Sequence, residues 1–195
     1  MKRISLFLII ALCLGACGDK DKPLKPQERH AIRMQVGLRV TEIYDEVCRW
    51  YNSHVDSYEK NSFDEYYLTP DFLKLRNEAR SIGAKKSEIP ATFDYDHWIQ
   101  GQDYAQVSVS VDSILIVSRD TAGVWITLNN RGVRPLGLLM VKTSRRDDRE
   151  ANWFIDDFVS QDEEGNYAFS EKEALKEYNN AVTTAHHPYQ TALSP

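Results

Sequence analysis

The spacing of apolar positions changes character twice along the chain. From Arg29 to Lys60 they recur at Ile32, Val36, Val40, Ile43, Tyr44, Val47, Tyr51, Val55 and Tyr58. Steps of three and four put them on one stripe of a long amphipathic helix, with Trp50 at its edge. Gly37 weakens the middle without breaking the pattern. Ser62-Phe63-Asp64-Glu65 has the form of a capping box and predicts a short helix to Leu68. Thr69 as N-cap, Pro70 at the first helical position and Asp71 at the positive end predict the next helix, running to Ile82 with Gly83 as its stop. Residues 84–92 read as loop.

Beyond that loop the period falls to two. Tyr104–Ser110 alternates, with Val107, Val109 and Val111 on one side, and Ile114–Val117 continues after a kink at Asp112-Ser113. Ala122–Leu128 sets Val124, Ile126 and Leu128 opposite Trp125 and Thr127, while Leu136–Lys142 and Asn152–Phe158 supply further strands. The connections are short and polar, which predicts antiparallel pairing. Leu136 to Val141 is apolar on both faces, so something must cover the second one. Ser170-Glu171-Lys172-Glu173 is another capping box and opens a helix to about Val182. Helices first and strands after them predict an α+β fold, with N-terminal helices packed on a curved antiparallel sheet and an extra C-terminal helix.

The start of the chain follows a different pattern. Met1-Lys2-Arg3 is basic, and Ile4–Leu14 is an apolar run broken only by Ser5. It is too short for the roughly 20 residues of a membrane-spanning helix and has the make-up of a secretory signal. Leu14-Gly15-Ala16-Cys17 resembles the lipobox of bacterial lipoproteins. The resemblance implies cleavage before Cys17 and acylation of that cysteine, with several acyl chains giving a stable anchor. Gly18 stands where an aspartate would signal retention in the inner membrane, so the expected place is the cell envelope at the outer membrane, facing the periplasm or the cell surface. Residues 1–16 are thus read as signal, 17–28 as a lipidated tether, 29–182 as one domain and 183–195 as a loose tail.

Cleavage leaves 179 residues, enough to bury a real core. Losing Lys2 and Arg3 takes the basic residues from 24 to 22 against 29 acidic ones, a net charge of −7 (22 − 29). Nucleic-acid binding needs clustered positive charge. Lys85-Lys86 and Arg145-Arg146 are isolated pairs, so no nucleic-acid partner is expected. Cys13 leaves with the signal and Cys17 is acylated. Cys48 is then a lone thiol at a helical apolar position and reads as a core residue.

Candidate chemistry is sparse. Asp156 and Asp157 point to opposite faces of a regular strand, Asp157 with Trp153 and Ile155, Asp156 with Phe154 and Phe158. A carboxylate among aromatics has a raised pKa and can serve as a base; the alternative is that both aspartates cap or pair at the sheet end. Trp125, Asp156 and Asp157 are therefore the candidate ligand-binding residues. Asp94, Asp96, His97 and Asp103 form an acidic cluster without the spacing of a calcium loop, and His186-His187 lacks further ligands nearby. No metal site is assigned. The chain contains no Gly-x-Ser-x-Gly and no phosphate loop, so no catalytic residue and no cofactor is assigned either.

Three stretches together resemble a family of bacterial envelope proteins of unknown function that carries the nuclear-transport-factor-two-like, or cystatin-like, cone fold. They are Glu65-Tyr66-Tyr67-Leu68-Thr69-Pro70-Asp71-Phe72, then Asp94-Tyr95-Asp96 with Gly101-Gln102-Asp103, and Trp153-Phe154-Ile155-Asp156-Asp157-Phe158. The match spans residues 35–160. It implies the cone fold, lipid anchoring and, in many cone-fold proteins, a sheet-to-sheet homodimer. The expected function is a lipid-anchored module that binds a small ligand or an envelope protein. Alternatives are an acid-base enzyme of isomerase or dehydratase type using a cavity aspartate, and a purely structural envelope protein.

Overall fold

In the computed structural model, the described residues are 23–54, 62–87, 90, 93–145, 150–161 and 167–185. They form α1 (Pro26–Ser53), α2 (Phe63–Tyr67), α3 (Pro70–Lys86), strands β1 (Ser108–Ile116), β2 (Thr121–Asn129), β3 (Val133–Thr143), β4 (Asn152–Gln161) and β5 (Tyr167–Ser170), then α4 (Glu171–Ala185). All five strands join one antiparallel sheet in the order β1-β2-β3-β4-β5. The fold is α+β, with helices before the sheet and one after it. No described helix is long and apolar enough to cross a membrane. Residues 1–22, Cys17 among them, and His186-His187 lie outside the described residues.

The predicted stripe of α1 is its buried face: Val36, Val40, Ile43, Tyr44, Val47 and Tyr51 are all inside. They meet Val124, Ile126, Leu128, Leu136, Leu138 and Met140 of the sheet in one core cluster. Gly37 marks where the helix crosses β1, since a Cβ there would sit 3.2 Å from the Ile114 side chain. The helix starts three residues before Arg29, with Pro26 in its first turn. It ends at Ser53 rather than Lys60. Ser53 Oγ turns back to the carbonyls of Arg49 and Trp50, and His54 leaves helical geometry while stacking on Trp50. Residues 55–61, with the predicted last turns, lie outside the described residues.

Other boundaries move for local reasons. Ser62 makes no side-chain cap on α2, so that capping box does not form. Thr69 does cap α3, accepting from the Phe72 amide. Gly83 does not stop α3. It is buried within the helix, which runs on to Lys86 and ends on Ser87 in the left-handed region. Tyr104–Val107 is not strand. Instead Asn52 of α1 holds Val107 through both its amide and its carbonyl, and β1 begins at Ser108. The predicted kink at Asp112-Ser113 is a bulge in the β1–β2 register. Strand β5, short and beyond a polar stretch, is one the spacing did not reveal.

A second bulge changes the faces of β4. Ile155 pairs with Met140 but Asp157 pairs with Leu139, leaving Asp156 as the extra residue. Ile155 and Asp157 therefore lie on opposite faces. Phe158, opposite Leu138, shares the core face with Ile155. The strict alternation expected for Trp153–Phe158 is broken at that one position.

Candidate functional site

Among the described residues, large side chains pack the space between α1 and the sheet. Trp98 is buried against Tyr44, Phe63 and Phe158, at ring-centroid distances of 6.3, 5.6 and 5.2 Å. Tyr51 and Phe72 extend the cluster. Edge-to-face contacts of this kind add to the area the rings bury.

A charged network is embedded beside these rings. Glu171, the first residue of α4, has a side chain 0 % exposed. Arg76 of α3 lies directly against it and also binds Asp64 of α2 at 3.0 Å. His97 stands between the two carboxylates, Nε2 at 3.0 Å from Asp64 and Nδ1 at 3.5 Å from Glu171. Asp64 further accepts from the Trp98 indole and from Arg80. Burial would raise the Asp64 carboxyl, but the bond and charge of His97, with Arg76 and Trp98, outweigh it and hold it well below the usual carboxylate range. Burial, then the Arg76 charge, pushes His97 below its ordinary value. Buried charges persist when each is paired. The network joins α2, α3, α4 and the loop at 97, so it locks the helices together.

Both strand aspartates serve the same end of the molecule. Asp156 accepts two bonds of 2.7 Å from the Lys172 ammonium and one of 2.6 Å from the Thr69 hydroxyl. Asp157 accepts from the Ser170 hydroxyl and from the Lys172 amide at 2.8 Å, at the positive end of α4. Ser170 Oγ in turn accepts from the Glu173 amide, as the second capping box predicts. Burial raises the Asp157 carboxyl to about 6, against the lowering effect of those two bonds. Trp125 is half-buried on the face opposite the core, the face that Asp157 also takes. Its ring lies over Gly137, where a Cβ would come within 2.9 Å of it. Both aspartates are thus bound at the start of α4, Asp156 also to Thr69, whereas Trp125 packs over Gly137. Cys48 is half-buried in α1 beside the core, and its thiol is raised by burial.

The acidic cluster is dispersed as well. Asp96 takes the Tyr51 hydroxyl and the Trp98 amide, His97 belongs to the buried network, and Asp94 and Asp103 are exposed. Among the described residues, no three metal-ligating side chains gather closely enough to hold an ion.

A cleft of about 490 Å³ opens at the sheet end nearest this loop, lined by Tyr95, Gln100, Gly101, Gln102, Asp103, Asn130, Arg131 and Arg134. Its walls are the 94–103 loop and the β2–β3 hairpin tip. Asn130, buried, staples the two. Its amide donates to the carbonyls of Ile99 and Asp103, and its oxygen accepts from Ala105. Gly101 fits because a Cβ would meet the Asn130 amide at 3.0 Å. Gln102 and Asp103 belong to the stretches singled out from sequence, whereas Arg131 and Arg134 read there only as a polar turn. Their closeness to Asp103 is set by the fold. No family model matches the chain, and neither a curated protein nor a solved structure matches it.

Proposed function

We propose that this is a lipid-anchored envelope protein, acylated at Cys17, whose folded domain binds a ligand at its outer surface rather than catalysing a reaction inside. The observation that supports this most is the filled interior. The space that would hold a substrate contains Trp98, Tyr51, Phe63 and Phe158, and the carboxylates that could act as bases are bound to Arg76, Lys172, Thr69 and Ser170. A general base needs reach to a substrate proton, and these have internal partners instead. The acid-base enzyme reading therefore stands second.

Two experiments on the full chain test this reading. With an alkyne fatty acid fed to an enterobacterial host, label and outer-membrane fractionation should depend on Cys17 and vanish in Cys17→Ser. Unlabelled, soluble protein overturns the anchor. A thermal-shift screen of small metabolites, with crosslinking in membranes for protein partners, should return at least one ligand. A turnover lost in Asp156→Asn/Asp157→Asn would instead favour the enzyme.

A second copy of the chain is the partner the cone-fold resemblance implies. Trp125, Leu139 and Val141 are half-buried outside the core cluster, and Leu115 on the same face is 41 % exposed. Sedimentation equilibrium should show a dimer that Trp125→Lys dissociates; a monomer at high concentration refutes it.

A further inference from the structure

The cleft between the 94–103 loop and the β2–β3 hairpin holds opposite charges that do not satisfy one another. Arg131 and Asp103 both line it, yet among the described residues neither side chain has a hydrogen bond or ion pair. Arg134 spends one N–H on the Gln100 carbonyl at 2.9 Å and keeps the rest of its guanidinium. Gln100 and Gln102 each use the amide nitrogen internally, on the carbonyls of His97 and Asp94, which leaves both side-chain oxygens as acceptors.

The frame is stiff. Asp96 and Gly101 exchange backbone bonds of 2.9 and 3.3 Å, Asn130 clamps the loop from the hairpin, and Gln100 and Arg131 are held in the left-handed region at φ 50° and 53°. Such conformations cost non-glycine residues free energy and persist where surrounding bonds enforce them. A rigid cleft loses little entropy on binding.

Two guanidiniums on one wall want an oxyanion, since an arginine fork matches a carboxylate or phosphate. Asp103 in the same cleft disfavours a phosphate dianion and wants a cation, as do the two glutamine oxygens. A volume of about 490 Å³ suits a molecule larger than a single ion. We propose that this cleft binds a short zwitterionic peptide, its carboxylate on Arg131 and Arg134 and its ammonium on Asp103, Gln100 and Gln102. The proposal rests on the reading of the domain as a binding module and gives that module a ligand class. Three extended residues span about 10 Å, so both ends of such a peptide can lie in one cleft, which the two termini of a folded partner rarely do.

Titration calorimetry on the full chain tests it with four probes: trialanine, N-acetyl-trialanine, trialanine amide and inorganic phosphate. Trialanine should bind, and capping either end should weaken binding about tenfold or more, the worth of one charge-assisted contact. Arg131→Gln should reduce the preference for the free carboxylate severalfold, and Asp103→Asn the preference for the free ammonium. Both side chains are exposed, so the melting temperature should stay unchanged. The proposal is overturned if trialanine gives no heat, if capping makes no difference, or if phosphate binds as well as trialanine and Asp103→Asn tightens it. In each of these cases a different ligand from the thermal-shift screen leaves the binding reading standing, so the two fail separately.

Discussion

Replacing Arg76 by Met should be strongly destabilising. The guanidinium is almost wholly buried and serves Asp64 and Glu171 together. Asp64 keeps Arg80, His97 and Trp98, but Glu171, fully inside, keeps only His97 Nδ1 at 3.5 Å among its described charge partners. Removing one partner of a buried pair costs about 3–5 kcal/mol, because it strands the other charge in low dielectric. Against a total of about 5–15 kcal/mol, that removes a large share of the stability. The penalty should also depend on pH. Loss of the Arg76 charge removes one of the forces that lower His97, and the stranded carboxylate favours a proton on His97 or on itself. The folded variant then holds a proton that the unfolded chain has lost near neutrality, so its stability should rise as pH falls from about 8 to about 5. Urea denaturation followed by tryptophan fluorescence, at pH 8 and at pH 5, measures both effects. Arg76→Met/Glu171→Leu, which removes both charges, should recover most of the loss. A single-variant cost under about 1 kcal/mol, or one equal at both pH values, would refute the account of Glu171 as a buried charge held by Arg76.

Three further outcomes are expected. Asp157, raised to about 6 by burial, is protonated in both states below about pH 4 and must ionise inside the fold above about pH 6. Its share of stability therefore falls across that window, by up to about 3 kcal/mol, and Asp157→Asn should flatten the difference between denaturation curves at pH 4 and pH 7; an unchanged slope excludes it. Gly137→Ala places a Cβ 2.9 Å from the Trp125 ring and 3.2 Å from Val159. The cost should be about 1–3 kcal/mol and should shrink in a Trp125→Ala background, with additive losses contradicting the contact. Asn130→Ala removes three bonds that tie the loop to the hairpin. It should cost about 2–3 kcal/mol and raise amide exchange at residues 99–105, while unaltered exchange there would show that the loop stands without it.

Much of the architecture was legible because periodicity reports burial. The α1 stripe, the Thr69 cap, the β1 kink and the Ser170 cap are all local events, decided within a few residues by spacing and side-chain reach. Errors arose where a local signal had a competitor. Gly83 looked like a stop, but burial within α3 carries the helix past it. Ser62 looked like a cap, while its neighbour Asp64 was recruited by Arg76, Arg80 and Trp98 from elsewhere in the chain.

The sequence by itself determined the α+β order and the two-faced apolar strands, both properties of contiguous residues. The tertiary structure alone decided the rest. It placed the extra residue of β4 at Asp156 and so sent Asp157 to the face opposite Ile155. It brought Glu171 to Arg76 across 95 positions of chain (171 − 76). It set Arg131 and Arg134 across a cleft from Asp103. These are contacts between distant segments, and their partners are chosen by how helices and sheet fill space together, which no local pattern of residues records.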